Sequence, residues 1–298
     1  MPFDLKTLLL AALGVTTVYY LATTVAGLRP FATNAPGWRG VVIGAVTNFF
    51  DTLGIGSYAT TTAIFRATNS VPVEKIPGTL TAGHTMATLV QTVIFTKAVD
   101  VDPVTLISMI VAAVAGSLLG ANSVARWPRA RIQRGMGLCL AGAAALFVMQ
   151  ALNVVPGGGT AIGVSGVKLV IALLANFALG MLMTIGIGLY GPCMLVVSML
   201  GMNPVTAFPI MMGSCAFLMP AAGARFMRLG AVDKRAAFGL ILGGVPAVLV
   251  AVYLVKSLPL TALRWLVAAV VAYTAWTLLR SASADAPSAG TRAAPAPV

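Results

Sequence analysis

Asn48-Phe49-Phe50-Asp51-Thr52-Leu53-Gly54-Ile55-Gly56-Ser57-Tyr58-Ala59-Thr60-Thr61-Thr62-Ala63-Ile64-Phe65 is an apolar run broken by Gly-Ile-Gly and carrying one acid. It has an echo in the same chain. At an offset of 132 residues, Thr52-Leu53-Gly54-Ile55-Gly56-Ser57-Tyr58 lies over Thr184-Ile185-Gly186-Ile187-Gly188-Leu189-Tyr190. With no gap, Val71-Pro72-Val73 then lies over Asn203-Pro204-Val205, and Pro77 over Pro209. Eight of the 26 positions from Thr52 to Pro77 are identical. The body of the chain therefore reads as two homologous halves.

Composition says what surrounds these halves. Of 298 residues, 59% are hydrophobic and 9% charged. A soluble domain is about 45–50% apolar and about 25% charged. Nineteen Lys and Arg with 7 Asp and Glu cannot cover a water-facing surface of this size. Three Cys exclude a disulfide-stapled module, and one His speaks against a metal centre. The class is an all-α, polytopic helical membrane protein. Long unbroken apolar runs do not fit the alternating segments of a membrane barrel.

Nine apolar segments follow one another: Thr7–Leu28, Gly40–Phe65, Ile76–Phe95, Val104–Ala121, Gly135–Leu152, Val167–Leu200, Val205–Gly223, Ala236–Val255 and Leu260–Leu279. The organisation is then an extra N-terminal helix (1–37), repeat 1 (38–153), a linker (154–165), repeat 2 (166–280) and a tail without apolar content (281–298). The first segment reads as a retained helix, being longer than a signal core.

The net charge of +12 falls between these segments, where the positive-inside rule places bases, rather than on a nucleic-acid-binding face. Arg126, Arg129, Arg131 and Arg134 follow the fourth segment; Arg225, Arg228, Lys234 and Arg235, against Asp233, follow the seventh. These loops are not equivalent in the repeat. Both face the cytoplasm only if the halves are inverted, which requires an odd number of crossings per half. The Gly-broken segments would then be re-entrant hairpins, with three spanning helices in each half. Nine true spans with discontinuous helices are the rival arrangement. In the first, the N-terminus lies outside and the C-terminus in the cytoplasm.

Non-helical backbone inside a bilayer lines a cavity or is buried in protein. Freed N–H groups at half-helix N-termini favour anions. The expected substrate site is therefore Gly54, Ile55, Gly56, Ser57, Tyr58 and Thr61 of the first break and Gly186, Ile187, Gly188, Tyr190 and Cys193 of the second, with Thr81 and Ser214 on the helices that follow. Close helix packing is the bland reading of such glycines. Asp51 is a candidate proton-coupling group, or a cap for the helix after the break, or the partner of a base such as Lys168. His84, the only histidine, is a candidate relay or an interhelical hydrogen bonder. Cys139, Cys193 and Cys215 lack metal spacing and read as small hydrophobes; Asn48, Asn122 and Asn176 read as interhelical bonders. No phosphate-binding G-x-x-x-x-G-K-[ST] loop, Ser-His-Asp set or HExxH occurs, so neither ATP, another cofactor nor an enzyme is expected.

The Asn48–Phe65 pattern, its echo and the Pro72 and Pro204 segments resemble the TauE/SafE sulfite-exporter family over roughly residues 38–280. The resemblance implies a bacterial inner-membrane permease of two repeats that exports sulfite or another small organosulfur anion. Ser57-Tyr58-Ala59 and Leu189-Tyr190-Gly191 stand where the commoner family pattern has a longer Gly run. Together these readings give a secondary transporter of a small anion, with lipid, the anion and protons as partners. A transporter of another solute with a cation or proton site at Asp51, and an integral membrane enzyme using Asp51 and His84, stay open.

Overall fold

The computed structural model describes residues 5–29, 37–53, 55–124, 127–152, 154, 159–185 and 188–254, with 272, 275, 276, 279 and 280. Arg126, Gly54, Gly186, Ile187, the tail 281–298 and most of the ninth segment lie outside the described residues, as does the Asn122 side chain. Among the described residues the chain is helical and has no strand. The helices are α1 (Leu5–Tyr20), α2 (Trp38–Thr52), α3 (Ser57–Thr68), α4 (Ile76–Ala98), α5 (Pro103–Val124), α6 (Arg129–Ala151), α7 (Gly166–Met183), α8 (Tyr190–Met199), α9 (Ala207–Arg228) and α10 (Lys234–Leu254). A wider turn, Leu21–Val25, and a tighter one, Ala26–Leu28, carry α1 on to the end of the first apolar segment.

Five stretches are long and apolar enough to cross a membrane: Thr7–Leu28, Pro103–Gly120, Gly166–Met183, Pro204–Arg228 and Lys234–Val252. Their outward faces are apolar. Val15, Val111, Leu174 and Leu242 are exposed, which lipid tolerates and water does not. The protein is a helical membrane protein. Both Gly-interrupted segments are broken at the expected place, α2 from α3 and α7 from α8. The helices after the break, α3 and α8, have 12 and 10 residues. At 1.5 Å per residue each is too short to cross ~30 Å of hydrocarbon.

The most enclosed helices are α4 and α9, packed on each other at the centre. They run antiparallel: Gly78 of α4 lies against Phe226, Ala82 against Gly223, and Phe95 stacks on Phe208 at 5.2 Å. Burying α4 is chemically surprising, since it carries six threonines. Thr81, Thr85, Thr88 and Thr92 each donate their hydroxyl to the carbonyl four residues back, so these four hydroxyls are satisfied within the helix. Its hydropathy is thus a poor guide to its depth.

Other contacts come in matched pairs. α2 packs on α10 and α5 on α7; α4 packs on α10 and α5 on α9. Glycine makes the first two seams possible. A Cβ on Gly44 would meet the backbone of Leu240, and one on Gly243 the carbonyl of Val41. Likewise Gly116 faces the Phe177 carbonyl and Gly180 the Ala113 carbonyl. These are close small-residue seams of the membrane kind. Asn48 lies beside His84 and Asp51 beside Gln91, so α2 and α4 run the same way and the chain comes back between them. Asp102 and Asp233 cap the first turns of α5 and α10, accepting from the N–H of Thr105 and of Ala236.

Filling a seam should unfold the protein. Gly180→Val and Gly243→Val are expected to destabilise by about 3 kcal/mol, the upper range for overpacking. Gly14→Val, where nothing lies within 4 Å, should be neutral. Thermal melting in detergent compares the three; equal midpoints would remove the seams from the account.

Candidate functional site

The two breaks face each other. A Cβ on Gly56 would stand 4.0 Å from Tyr190 Cβ, and one on Gly188 would stand 3.7 Å from Tyr58 Cβ. These contacts are the same pair of positions taken twice at the repeat offset. Between them is a small cavity walled by Asp51, Gly56, Ser57, Tyr58, Thr88, Met183, Gly188, Leu189, Tyr190, Cys215 and Met219, with room for about one water molecule. Gly56 has φ +85, a conformation that side chains with a Cβ rarely adopt, and it turns the chain into α3.

Asp51, 2% exposed, closes the last turn of α2. Its Oδ1 accepts from the Ser57 N–H at 2.5 Å, so the carboxylate caps the first turn of α3 from across the break. Its Oδ2 accepts from Gln91 Nε2 at 3.0 Å, and the same nitrogen donates to Thr52 Oγ1 at 2.9 Å. Gln91 Oε1 accepts from the Tyr190 hydroxyl at 3.0 Å. A chain of hydrogen bonds therefore runs from the start of α3, through an acid and an amide, to the start of α8. Lys168 is no partner of this acid; its Nζ donates to the Leu200 carbonyl.

His84 belongs to a second set. Its Nε2 lies 3.0 Å from Thr61 Oγ1 and its Nδ1 3.0 Å from Asn48 Oδ1, so the ring ties α4 to α3 and α2. It is fully buried, and both ring nitrogens have partners. The hydrogen bonds of Asp51 and His84 thus go to different residues and do not join the two as an acid–base pair. The Tyr58 hydroxyl donates to Thr81 Oγ1 at 3.2 Å.

Of the expected site residues, Gly56, Ser57, Tyr58, Gly188 and Tyr190 are brought together at the cavity, with Asp51 among them. Thr61, Thr81, Cys193 and Ser214 are buried but are not wall residues. Thr61 and Thr81 hold His84 and Tyr58, while Ser214 accepts from Asn176 Nδ2 at 3.0 Å. Ile55 is buried just before Gly56. Asn48 and Asn176 do bond between helices; Asn176 also donates to the Met109 carbonyl. Among the described residues no group of three His, Cys, Asp or Glu gathers for a metal.

Sequence reasoning missed Gln91, Thr88, Met183, Leu189 and Met219, and took Cys215 only as a small hydrophobe. A signal for the first two was available. Thr81, His84, Thr88 and Gln91 recur at spacings of three and four, which puts them on one face of α4. That face meets α2 and α3: Thr81 takes Tyr58, His84 takes Thr61 and Asn48, and Gln91 takes Asp51.

The chain matches no known family model, no curated protein and no solved structure.

Asp51→Ala removes the acceptor of two buried donors, whereas Asp51→Asn keeps one carbonyl oxygen. Hydrogen bonds to a charged group contribute about 1.5–3 kcal/mol. The alanine variant should melt lower than the asparagine variant, by an amount equivalent to about 2 kcal/mol. Equal melting would mean that the cap on α3 adds nothing to stability.

Proposed function

We propose that the protein is a secondary transporter whose transport site is the cavity between the two Gly-x-Gly breaks. Its cargo is a small anion of the sulfite or organosulfonate kind, moved outward across a bacterial inner membrane with the C-terminus in the cytoplasm. The observation that carries the reading is the reciprocal packing of Gly56 on Tyr190 and of Gly188 on Tyr58 around a cavity at the buried centre. Two broken helices facing across a symmetric centre are a recurrent transporter device.

The inverted arrangement of the halves has support of its own. Repeat-equivalent helices α4 and α9 pack antiparallel, as a two-fold axis lying across them requires. The seams α2–α10 and α5–α7 exchange under the same operation. The common direction of α2 and α4 favours a hairpin at the break over a straight span. In this reading repeat 1 is 38–153, repeat 2 is 166–280, and α1 is an addition.

One observation favours a second reading, a cation or proton site at Asp51. The acid stands in the cavity wall, and the first N–H of α3 that an anion would seek is already given to it. For an anion to bind there, Asp51 must release Ser57. Protonation is the simple way to do that, so the anion reading also makes Asp51 its coupling group.

Flux into proteoliposomes tests both. Sulfite should move faster than in empty vesicles. Gly56→Ala, strained by its positive φ, should slow that flux at least tenfold. If another solute moves and sulfite does not, the cargo is wrong. Asp51→Asn should abolish the response of flux to a pH gradient, and an unchanged response would remove the coupling role.

A further inference from the structure

We infer that Gln91 is a positioning residue that clamps the two breaks together across the cavity, and that its release is what opens the cavity to a solute. The inference rests on the reading of that cavity as the transport site.

Gln91 is fully buried on α4 and is bonded at both ends. Its Nε2 holds Asp51 and Thr52, the last two residues of α2. Its Oε1 holds the hydroxyl of Tyr190, the first residue of α8. Gly56 meets Tyr190 and Gly188 meets Tyr58 by van der Waals packing, which lets surfaces slide apart, while the Tyr190 side chain also interacts with Asp51 and Thr88. The amide adds a directional tie. A primary amide side chain can donate to a carboxylate at one end and accept from a phenol at the other. A carboxylate in its place would face Asp51, and an aliphatic side chain would remove this bond from both partners.

The clamp exists once on a frame that is otherwise doubled. The position equivalent to Gln91 at the repeat offset is Gly223, whose neighbours are Ala82 and Thr24. Asp51 likewise corresponds to Met183, and Thr88 to Pro220. The first half therefore gives the wall an acid and hydroxyls, Asp51, Ser57, Tyr58 and Thr88, with the Gln91 amide bonded to Asp51. The second half gives Met183, Leu189, Cys215 and Met219, with Gly188 and Tyr190. Among the described residues, Tyr190 of α8 reaches the first half through Gln91 at 3.0 Å, with Asp51 and Thr88 beside it. Room for about one water in the clamped state is too little for an oxyanion of four or more heavy atoms. The walls must part for such a solute to pass, and the Gln91–Tyr190 bond is one that parting breaks.

Cysteine labelling reads this without any cargo. Cys215 is a wall residue and is 1% exposed; Cys193 is fully buried on α8 and is not a wall residue. In a Cys139→Ala background, a small charged thiol reagent should modify Cys215 slowly. Gln91→Ala should raise that rate at least tenfold while Cys193 stays protected. Tyr190→Phe removes one oxygen at the far end of the clamp and leaves the packing in place, so it decides the matter if Gln91→Ala does not fold. It should raise Cys215 labelling about threefold or more. Labelling of Cys215 unchanged in Tyr190→Phe, or in a folded Gln91→Ala, overturns the clamp. So does simultaneous labelling of Cys193, which would mean general loosening. Selective Cys215 labelling in a protein that moves no solute upholds the clamp and sinks the transport reading instead.

Discussion

A helix broken inside an apolar medium frees backbone donors that lipid cannot satisfy, and the protein must supply every partner itself. At the first break that requirement is met by Asp51, whose carboxylate takes the Ser57 N–H. A buried carboxylate then needs further donors, and Gln91 provides one. The far end of the amide needs a donor in turn, which Tyr190 of the second half supplies. One interrupted helix thereby accounts for an acid, an amide and a phenol in a chain that is only 9% charged. The second break meets its requirement differently. Its neighbourhood is Met183, Cys215 and Met219, with Cys215 Sγ and Met183 Sδ 3.6 Å apart. The two stretches related by the 132-residue offset thus carry unlike side chains at their breaks.

The frame that holds the breaks face to face is built from close backbone approach. Without a hydrophobic drive between helices in lipid, association depends on packing and interhelical hydrogen bonds. The glycines of α2, α5, α7 and α10 serve the first. Asn176, bonded to Met109 and Ser214, serves the second. Because α2 is seamed to α10 and α5 to α7, each half is held by a helix of the other. Separating the halves would break both seams, so any motion at the cavity is best sought in the short helices α3 and α8.

The resemblance to a sulfite-exporter family and the chemistry of the cavity pull in different directions until Asp51 is considered. A helix N-terminus invites an anion, and here the chain's own carboxylate has accepted the invitation. A transported anion would compete with it. In the proposed mechanism this competition, rather than a fixed binding pocket, links the solute to the proton. The scarcity of cationic side chains in the apolar segments leaves backbone N–H groups and hydroxyls as the donors an anion would use.

The doubling at an offset of 132, the membrane class and the two break points were legible in the sequence, because glycine pairs, prolines and long apolar runs are local signals. The capping role of Asp51 was legible as one of three options. Gln91 was not singled out, although the stripe Thr81, His84, Thr88, Gln91 stood in view, since a lone glutamine in a Thr-rich helix names no partner. Which face of α4 meets α2, that Gly56 lies on Tyr190 while Gly188 lies on Tyr58, and that Lys168 turns to Leu200 rather than to Asp51 were decided by the tertiary structure. Composition and spacing constrain each helix along its own axis. Contacts between residues 32 to 134 positions apart depend on how the helices cross, and that is set by packing among all of them.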